Sequence, residues 1–389
     1  MNRRVCIVTG TRAEWGLLSG IARELKNTPG VELHIVATNM HLMHRYGHTV
    51  DEITAAGFDI SATVPMEVPT DSPADTARAM GLCISGMADA FEAIRPDMVV
   101  ILGDRYEMLA TASAASVMRI PIVHIAGGER TDGAIDDSIR HAITKLASLH
   151  LVSTEEYRRR VIQLGENPGR VINTGAIGVY NAMAIPQMSR QEIEQSLGMT
   201  VDSRTLVVTY HPATLDDADV ASRFRALLEA LDRFPQSNVI ITYPNNDARG
   251  QVIIDLIQQY AARYPGRVVA VPSLGYRRYL SVLRHAGAAV GNSSSGIIEV
   301  PSTGIPTVNI GIRQEGRLAA DSVINCGDST EEIAAAIEKA LSDDFRSLAA
   351  SVSNPYYKPD TLRLSVDAIV NTPIESLSRK SFHDLTFDI

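Results

Sequence analysis

Short apolar runs alternate with segments of helical period along nearly the whole of this chain, and few folds accommodate that rhythm. The runs read as buried strands at Val5–Thr9, Leu33–Thr38, Met98–Leu102, Ile122–Ile125, Leu149–Val152 and Val171–Thr174. They recur at Thr205–Thr209, Val239–Thr242, Val268–Val271, Ala288–Val290 and Thr307–Asn309. Helical segments lie between them, among them Leu17–Lys26, Ala74–Ile94, Tyr106–Met118 and Ile135–Ala147, then Val220–Phe234, Gln251–Tyr264, Tyr276–His285 and Glu331–Leu341. Strict βα alternation predicts parallel sheets with crossover helices. The expected fold class is α/β, with two Rossmann-like, doubly wound parallel-sheet domains facing a cleft. A length of 389 residues suits two domains. The polar stretch Ala182–Ser203 marks the boundary, giving domains at 1–185 and 186–372 and a tail at 373–389, with Thr361–Val370 as a closing helix.

In such folds ligands sit beyond the carboxyl ends of the strands. That rule points to Gly10–Trp15, Gly103–Tyr106, Ala126–Asp137, Tyr210–Thr214, Ser273–Tyr276 and Gly291–Ser295, all polar or glycine-rich. A formal net charge of -9 argues against a nucleic-acid partner, which calls for a basic face. It leaves room for an anionic small molecule held by a few arginines. Cys6, Cys83 and Cys326 stand far apart and form no CxxC pair, so neither a disulfide framework nor a zinc site is expected, and a reducing cytoplasm fits. The start, MNRRVCIVTG, reads as a first strand rather than a secretory signal. No apolar stretch approaches the ~18 residues of a membrane span.

The segment AAVGNSSSGIIEVP carries the clearest chemistry. A buried strand runs into Gly291, Asn292, Ser293, Ser294, Ser295 and Gly296, and an apolar helix follows near Ile297. Small residues let a phosphate approach the backbone, and free N–H groups and hydroxyls would hold it. Glu299, one turn into the helix, is placed to accept from a ribose diol. An ordinary Asn/Ser helix cap explains the same pattern without a ligand. Arg12, Arg313 and Arg317 are candidate partners of a diphosphate, and His211 ends a strand where it could reach one. The first turn, GTRAEWG, matches neither GxGxxG nor a Walker pattern, so nicotinamide, flavin and P-loop readings are weak. At the other mouth, Asp104 in LGDRYE, Glu129 after HIAGG, and Asp136 at a helix start form a carboxylate cluster, with Arg105 and Arg140 beside it. Such a cluster can move protons on and off a carbon centre, although each pair is also consistent with plain ion pairing. His41, His44 and His48 fall on a helix after the second strand, where a satisfied surface or core histidine is the commoner outcome; no HExxH spacing favours a metal.

Together GTRAEWGLL, HxxxxYGHT, LGDRYE, HIAGGE, IDDSIRHAITKLAS, YHP, YPNND, NSSSGIIEVP and GIRQEGR resemble the hydrolysing UDP-N-acetylglucosamine 2-epimerases of sialic-acid biosynthesis. The resemblance runs from Gly10 to about Arg317. It implies a glycosyltransferase-B-like fold. It implies anti elimination of UDP to a 2-acetamidoglucal, then hydration to N-acetylmannosamine, with no cofactor and no metal. By motif, Asp104 and Asp136 fall on catalytic positions. Arg12, His211, Ser293, Ser294, Glu299 and Arg313 fall on nucleotide positions, Ser273 and Leu274 lie near the uracil, and the HxxxxYGHT match makes His41 a substrate contact. Many members read HIEGGE, with a catalytic glutamate where this chain has Ala126; Glu129 is the nearest substitute for the base. A related branch acts on UDP-N,N'-diacetylbacillosamine on the way to legionaminic acid. A UDP-sugar glycosyltransferase, a non-hydrolysing epimerase and a non-enzymatic nucleotide-sugar sensor remain open on this fold. Members are often dimers or tetramers, so a cytoplasmic homo-oligomer is expected.

Overall fold

The computed structural model describes residues 2–66, 72–132, 135–212, 219–244 and 250–386. Ala213 and Thr214 of the YHPAT segment, and Asn245–Asp247 of YPNND, lie outside the described residues. The chain forms two compact units. One comprises Met1–Glu129, Asp136–Tyr180 and Lys358–Ile389, the other Arg130–Ile135 and Asn181–Tyr357.

In the first unit, β1 (Arg3–Thr9), β2 (Val31–Thr38), β3 (Ala62–Val64), β4 (Met98–Leu102), β5 (Ile122–Ile125), β6 (Leu149–Val152) and β7 (Val171–Asn173) form one parallel sheet. Their spatial order is β3-β2-β1-β4-β5-β6-β7. All five residues of β4, MVVIL, are buried, as expected of a strand covered on both faces. Each fully buried aliphatic side chain contributes roughly 1.5–3 kcal/mol. One face of the sheet packs on Trp15, Leu18, Ile21 and Leu25 of the helix Arg12–Asn27. The other packs on Cys83, Met87 and Phe91 of the helix Pro73–Ile94.

In the second unit, β8 (Leu206–Thr209), β9 (Val239–Thr242), β10 (Val268–Val271), β11 (Ala288–Gly291), β12 (Thr307–Ile310) and β13 (Val323–Cys326) form a second parallel sheet, ordered β10-β9-β8-β11-β12-β13. Phe224, Leu227, Ile253, Ile257, Ile333 and Ile337 cover one face. Leu280, Leu283 and Val300 lie in the cluster on the other. Two strands escape sequence reading, β3 and β13. Both are outermost and partly exposed, so neither shows an unbroken apolar run.

The helix Thr361–Asn371 was expected to close the second domain. It packs in the first unit instead, with Ala368 and Ile369 in the core beside Leu18 and Leu25. Arg3 ties it there, donating to the Ile369 carbonyl at 2.6 Å. An amphipathic stripe shows that a helix must be covered, not which surface covers it.

In each sheet the strand order reverses once, between β1 and β4 and between β8 and β11. At such a point consecutive loops diverge and leave a crevice beyond the strand ends. Gly10–Arg12 and Gly103–Arg105 follow the first pair. Tyr210–His211 and Asn292–Ser293 follow the second.

Candidate active site

The first unit gathers carboxylates around one buried arginine. Arg140, one turn into the helix Asp136–Leu146, is only 1% exposed. Its guanidinium pairs with Asp104 at the end of β4 and with Asp137 Oδ1 at 3.1 Å, and donates to the Glu129 carbonyl at 3.0 Å. A buried guanidinium is tolerable only with such saturation of its donors. Asp104 itself is 21% exposed, so a ligand can reach it. Gly103, with φ 81, turns the chain so that its N–H donates to the Ile125 carbonyl at 2.9 Å. His124 Nε2 meets the Gly103 carbonyl at 2.7 Å, and burial pushes this imidazole down to about 3, so it stays neutral. Asp136 opens the helix, half-buried.

The remaining first-unit candidates are placed differently. The Glu129 carboxylate is buried and accepts from Ser153 Oγ at 3.2 Å. Arg105 is drawn back: its Nε donates to Glu107 Oε1 at 2.8 Å, and its guanidinium lies 5.3 Å from the Tyr106 ring centre. Arg12, at the exposed start of its helix, pairs with Glu52 at 2.9 Å. His41, His44 and His48 do not share a helix; two short 3-10 turns, Asn39–Leu42 and His44–Tyr46, carry the chain there. His41 is fully buried between Thr9 Oγ1 (3.1 Å) and Thr49 Oγ1 (2.8 Å), and burial lowers its imidazole to about 4. Contact with a substrate would cost it one of those bonds. Ala126, just after β5, has φ 65.

Two carboxyls that the sequence reading passed over stand at the same strand ends. Glu14 accepts from the Gly10 N–H at 2.7 Å and the Thr11 N–H at 3.2 Å, closing a capping box with Thr11. The Thr-x-x-Glu spacing in GTRAEWG is the signal that could have found it. Glu107 is fully buried beside it; a Cβ on Gly10 would stand 2.7 Å from its Oε1. Burial first, and then the Glu107 charge, pushes the Glu14 carboxyl up to about 8. The folded value exceeds the ordinary 4.5, so this group's contribution to stability is full below that pH and is lost as pH rises through about 8. Glu14→Gln, which keeps a capping acceptor, is therefore expected to flatten the fall in stability between about pH 5 and 8, a slope of up to ~1.4 kcal/mol per pH unit in the parent. An unchanged slope in calorimetry would refute the assignment.

The second unit builds a small-residue turn after β11. Asn292 locks it: its Oδ1 accepts from the His211 N–H at 2.7 Å, and its Nδ2 donates to the His211 carbonyl at 2.8 Å. The Asn292 carbonyl in turn accepts from Arg313 (3.0 Å) and from Gln314 Nε2 (2.9 Å). Gln314, buried, was not among the sequence candidates, and nothing in GIRQEGR set it apart from a surface glutamine. Ser293 Oγ accepts from the Ser295 N–H at 3.4 Å, and Ser295 hydrogen-bonds Tyr279. Gly296 lies against Thr307, whose Oγ1 donates to the Gly296 carbonyl at 2.7 Å. The helix here spans only Ser294–Ile298, and Glu299 ends it instead of lying within it, because Pro301 cannot continue the ladder. A helix this short has little dipole to offer, which leaves backbone N–H groups and hydroxyls as the donors the turn presents. Glu299 is buried beside Tyr276, whose phenol is pushed upward by burial and then by that carboxylate. Ser273 Oγ accepts from Gly275 N–H at 3.1 Å, Leu274 is buried in the core, and the Arg317 N–H donates to the Gln314 carbonyl at 3.2 Å.

The family model for UDP-N-acetylglucosamine 2-epimerase matches residues 23–370. The chain belongs to the UDP-N-acetylglucosamine 2-epimerase family. A Campylobacter jejuni member, GDP/UDP-N,N'-diacetylbacillosamine 2-epimerase (hydrolyzing), is 40% identical over 89% of each chain. Polysialic acid biosynthesis protein P7 of Escherichia coli is 37% identical over 98% of each. Among solved structures, the UDP-GlcNAc 2-epimerase of Neisseria meningitidis bound to UDP-GlcNAc aligns with TM-score 0.78 at 18% identity, covering 95% of this chain and all (100%) of that one. The fold class is thus the expected one, two parallel-sheet α/β domains of the glycosyltransferase-B kind. Family membership makes the chain an enzyme of the epimerase class. No described helix is long and apolar enough to cross a membrane.

Proposed function

We propose that this family member is a hydrolysing 2-epimerase of a UDP-2-acetamido sugar. It breaks the C1–O bond to UDP while a proton leaves C2. Water then adds across the resulting glucal, hydroxyl to C1 and proton to C2 on the opposite face. The observation that carries this reading is the Asp104–Arg140–Asp137 group, with Asp136 beside it, at the point where the first sheet reverses order. Asp104 and Asp136 exchange protons with the sugar, and Arg140 fixes Asp104 in one orientation. The diphosphate falls to Ser293, Ser294 and Ser295, with Arg313 and Gln314 holding the turn in shape through Asn292. Arg12, His211, Glu299 and Arg317 are the further nucleotide contacts, and Ser273 and Leu274 the uracil side.

Of two acetamido substrates, UDP-N-acetylglucosamine and UDP-N,N'-diacetylbacillosamine, the second has support in the name of the Campylobacter relative and in the methyl group at Ala126, where a glutamate would be polar. Proton NMR in deuterated water with both substrates side by side decides between them. The expected products are free UDP and a free 2-epimeric sugar carrying deuterium at C2. UDP-linked epimer without free sugar, or no turnover at all, would overturn the proposal.

Two further outcomes are expected. Glu129→Gln keeps an acceptor for Ser153 and should hold turnover within about threefold; a loss near 10²-fold, the ordinary worth of a general base, would return the base role to Glu129. Gln314→Ala removes one neutral hydrogen bond from the serine turn and should weaken UDP binding by about three- to tenfold by calorimetric titration. No change there would separate the turn from the nucleotide.

A further inference from the structure

We propose that Lys380, in the tail after the last helix, is a positioning residue for the acid–base group, acting as a cap on the helix Asp136–Leu146. The inference rests on the roles of Asp104, Asp136 and Arg140 given above. An α-helix leaves its last carbonyls without intrahelical partners and carries the negative end of its dipole there. At the carboxyl end of this helix, Lys380 Nζ donates to the carbonyls of Thr144 (3.2 Å), Lys145 (2.6 Å) and Ala147 (2.6 Å). It also pairs with Glu166 Oε2 at 2.8 Å. Glu166 is buried and accepts in addition from Lys145 Nζ (2.5 Å) and meets His150 Nε2 (3.0 Å). One cation from the tail thus closes a helix end and joins a buried carboxylate.

The tail is held in place along its length. Arg170 donates to the carbonyls of Ser376 and of Arg379, the latter at 3.2 Å. The His383 N–H donates to the Gly165 carbonyl at 2.8 Å. The Phe382 ring lies over Gly165 so closely that any Cβ there would overlap it, and Lys145 Nζ sits 4.9 Å from the ring centre. A loose terminus would show none of these contacts.

A continuous set of bonds runs from the capped end to the acids. Thr144, whose carbonyl Lys380 takes, shares its one hydroxyl proton between the Arg140 carbonyl (3.0 Å) and His124 Nδ1 (3.3 Å). His124 Nε2 reaches the Gly103 carbonyl, one residue before Asp104. One turn before Thr144, Arg140 grips Asp104. The axial position of this helix therefore sets both the Arg140–Asp104 pair and the place of Asp136 at its start.

The test compares Lys380→Met, Lys380→Arg and Asp104→Asn in the full chain. The expected result is a folded Lys380→Met protein with kcat reduced about tenfold, the usual order of loss for a slightly misplaced catalytic group, and UDP affinity unchanged. Its pH–rate profile should shift, and Lys380→Arg should restore most of the turnover. Should Lys380→Met fail to fold, Lys380→Gln, which keeps a donor without the charge, is read in the same way. A folded variant with kcat within twofold of the parent and an unshifted profile would overturn the cap. Turnover surviving in Asp104→Asn would instead overturn the site reading beneath it, so the two failures are distinguishable.

Discussion

Asp104→Asn is expected to lower kcat by about 10²–10⁴-fold, the range general acid–base groups supply, while UDP affinity stays within about twofold. The amide is isosteric and keeps a carbonyl oxygen for Arg140, and Asp137 still supplies a counter-charge, so the buried guanidinium is not left unpaired. That matters, because stripping one partner from a buried ion pair costs roughly 3–5 kcal/mol and would confuse lost chemistry with lost fold. The partner experiment is Arg140→Met, which leaves Asp104, Asp137 and the Glu129 carbonyl without their shared donor and should fall in stability as well as in rate. Single-turnover release of UDP, measured beside a urea titration, separates the two. An Asp104→Asn protein with parental kcat would sink the proposed chemistry.

Gly291→Ala should destabilise the protein by ~3 kcal/mol or more and abolish UDP binding in whatever remains folded. Gly291 has φ 136, a region an L side chain rarely adopts, and a Cβ there would overlap the Thr209 carbonyl oxygen of the neighbouring strand. That atom is backbone within a paired strand and cannot swing aside. Gly296→Ala is the informative contrast. Its Cβ would meet the Thr307 methyl at 2.8 Å, a side-chain atom that a rotamer change can move, so the expected loss is smaller. Urea midpoints for the two variants check this ranking. Equal midpoints would show that the turn after β11 tolerates what its backbone geometry forbids.

Several elements could be read directly from residue order. Met98–Leu102, Ile122–Ile125, Leu149–Val152, Val239–Thr242 and Val268–Val271 form strands with the expected bounds, because each is a short, mostly β-branched or aliphatic run, whether it lies inside the sheet like β4 or at its edge like β10. The motif residues Asp104, Arg140, Asn292 and Ser293 likewise stand at strand ends or helix starts, where local chemistry puts them. The edge strands β3 and β13 were illegible, since their half-exposed runs, ATV and VINC, mix polar with apolar residues, unlike the all-apolar edge strand β10. So were Glu107 and Gln314, each a polar residue whose burial depends on a neighbour far away in sequence, whereas Glu14 left a local signal in its capping box with Thr11.

The alternation of apolar runs and helical periods determined the α/β class and the parallel sheets, and the motifs carried the family resemblance, since periodicity and motif are properties of the chain read in order. Tertiary structure alone decided which strands lie at the two reversals of order, and that Asp104 is gripped by Arg140 while His41 is enclosed by two threonines. It also decided that the helix Thr361–Asn371 and Lys380 belong with the first unit. The physical reason is common to all of these. A side chain states what kind of environment it needs, but only the closing of distant segments on one another supplies the partner.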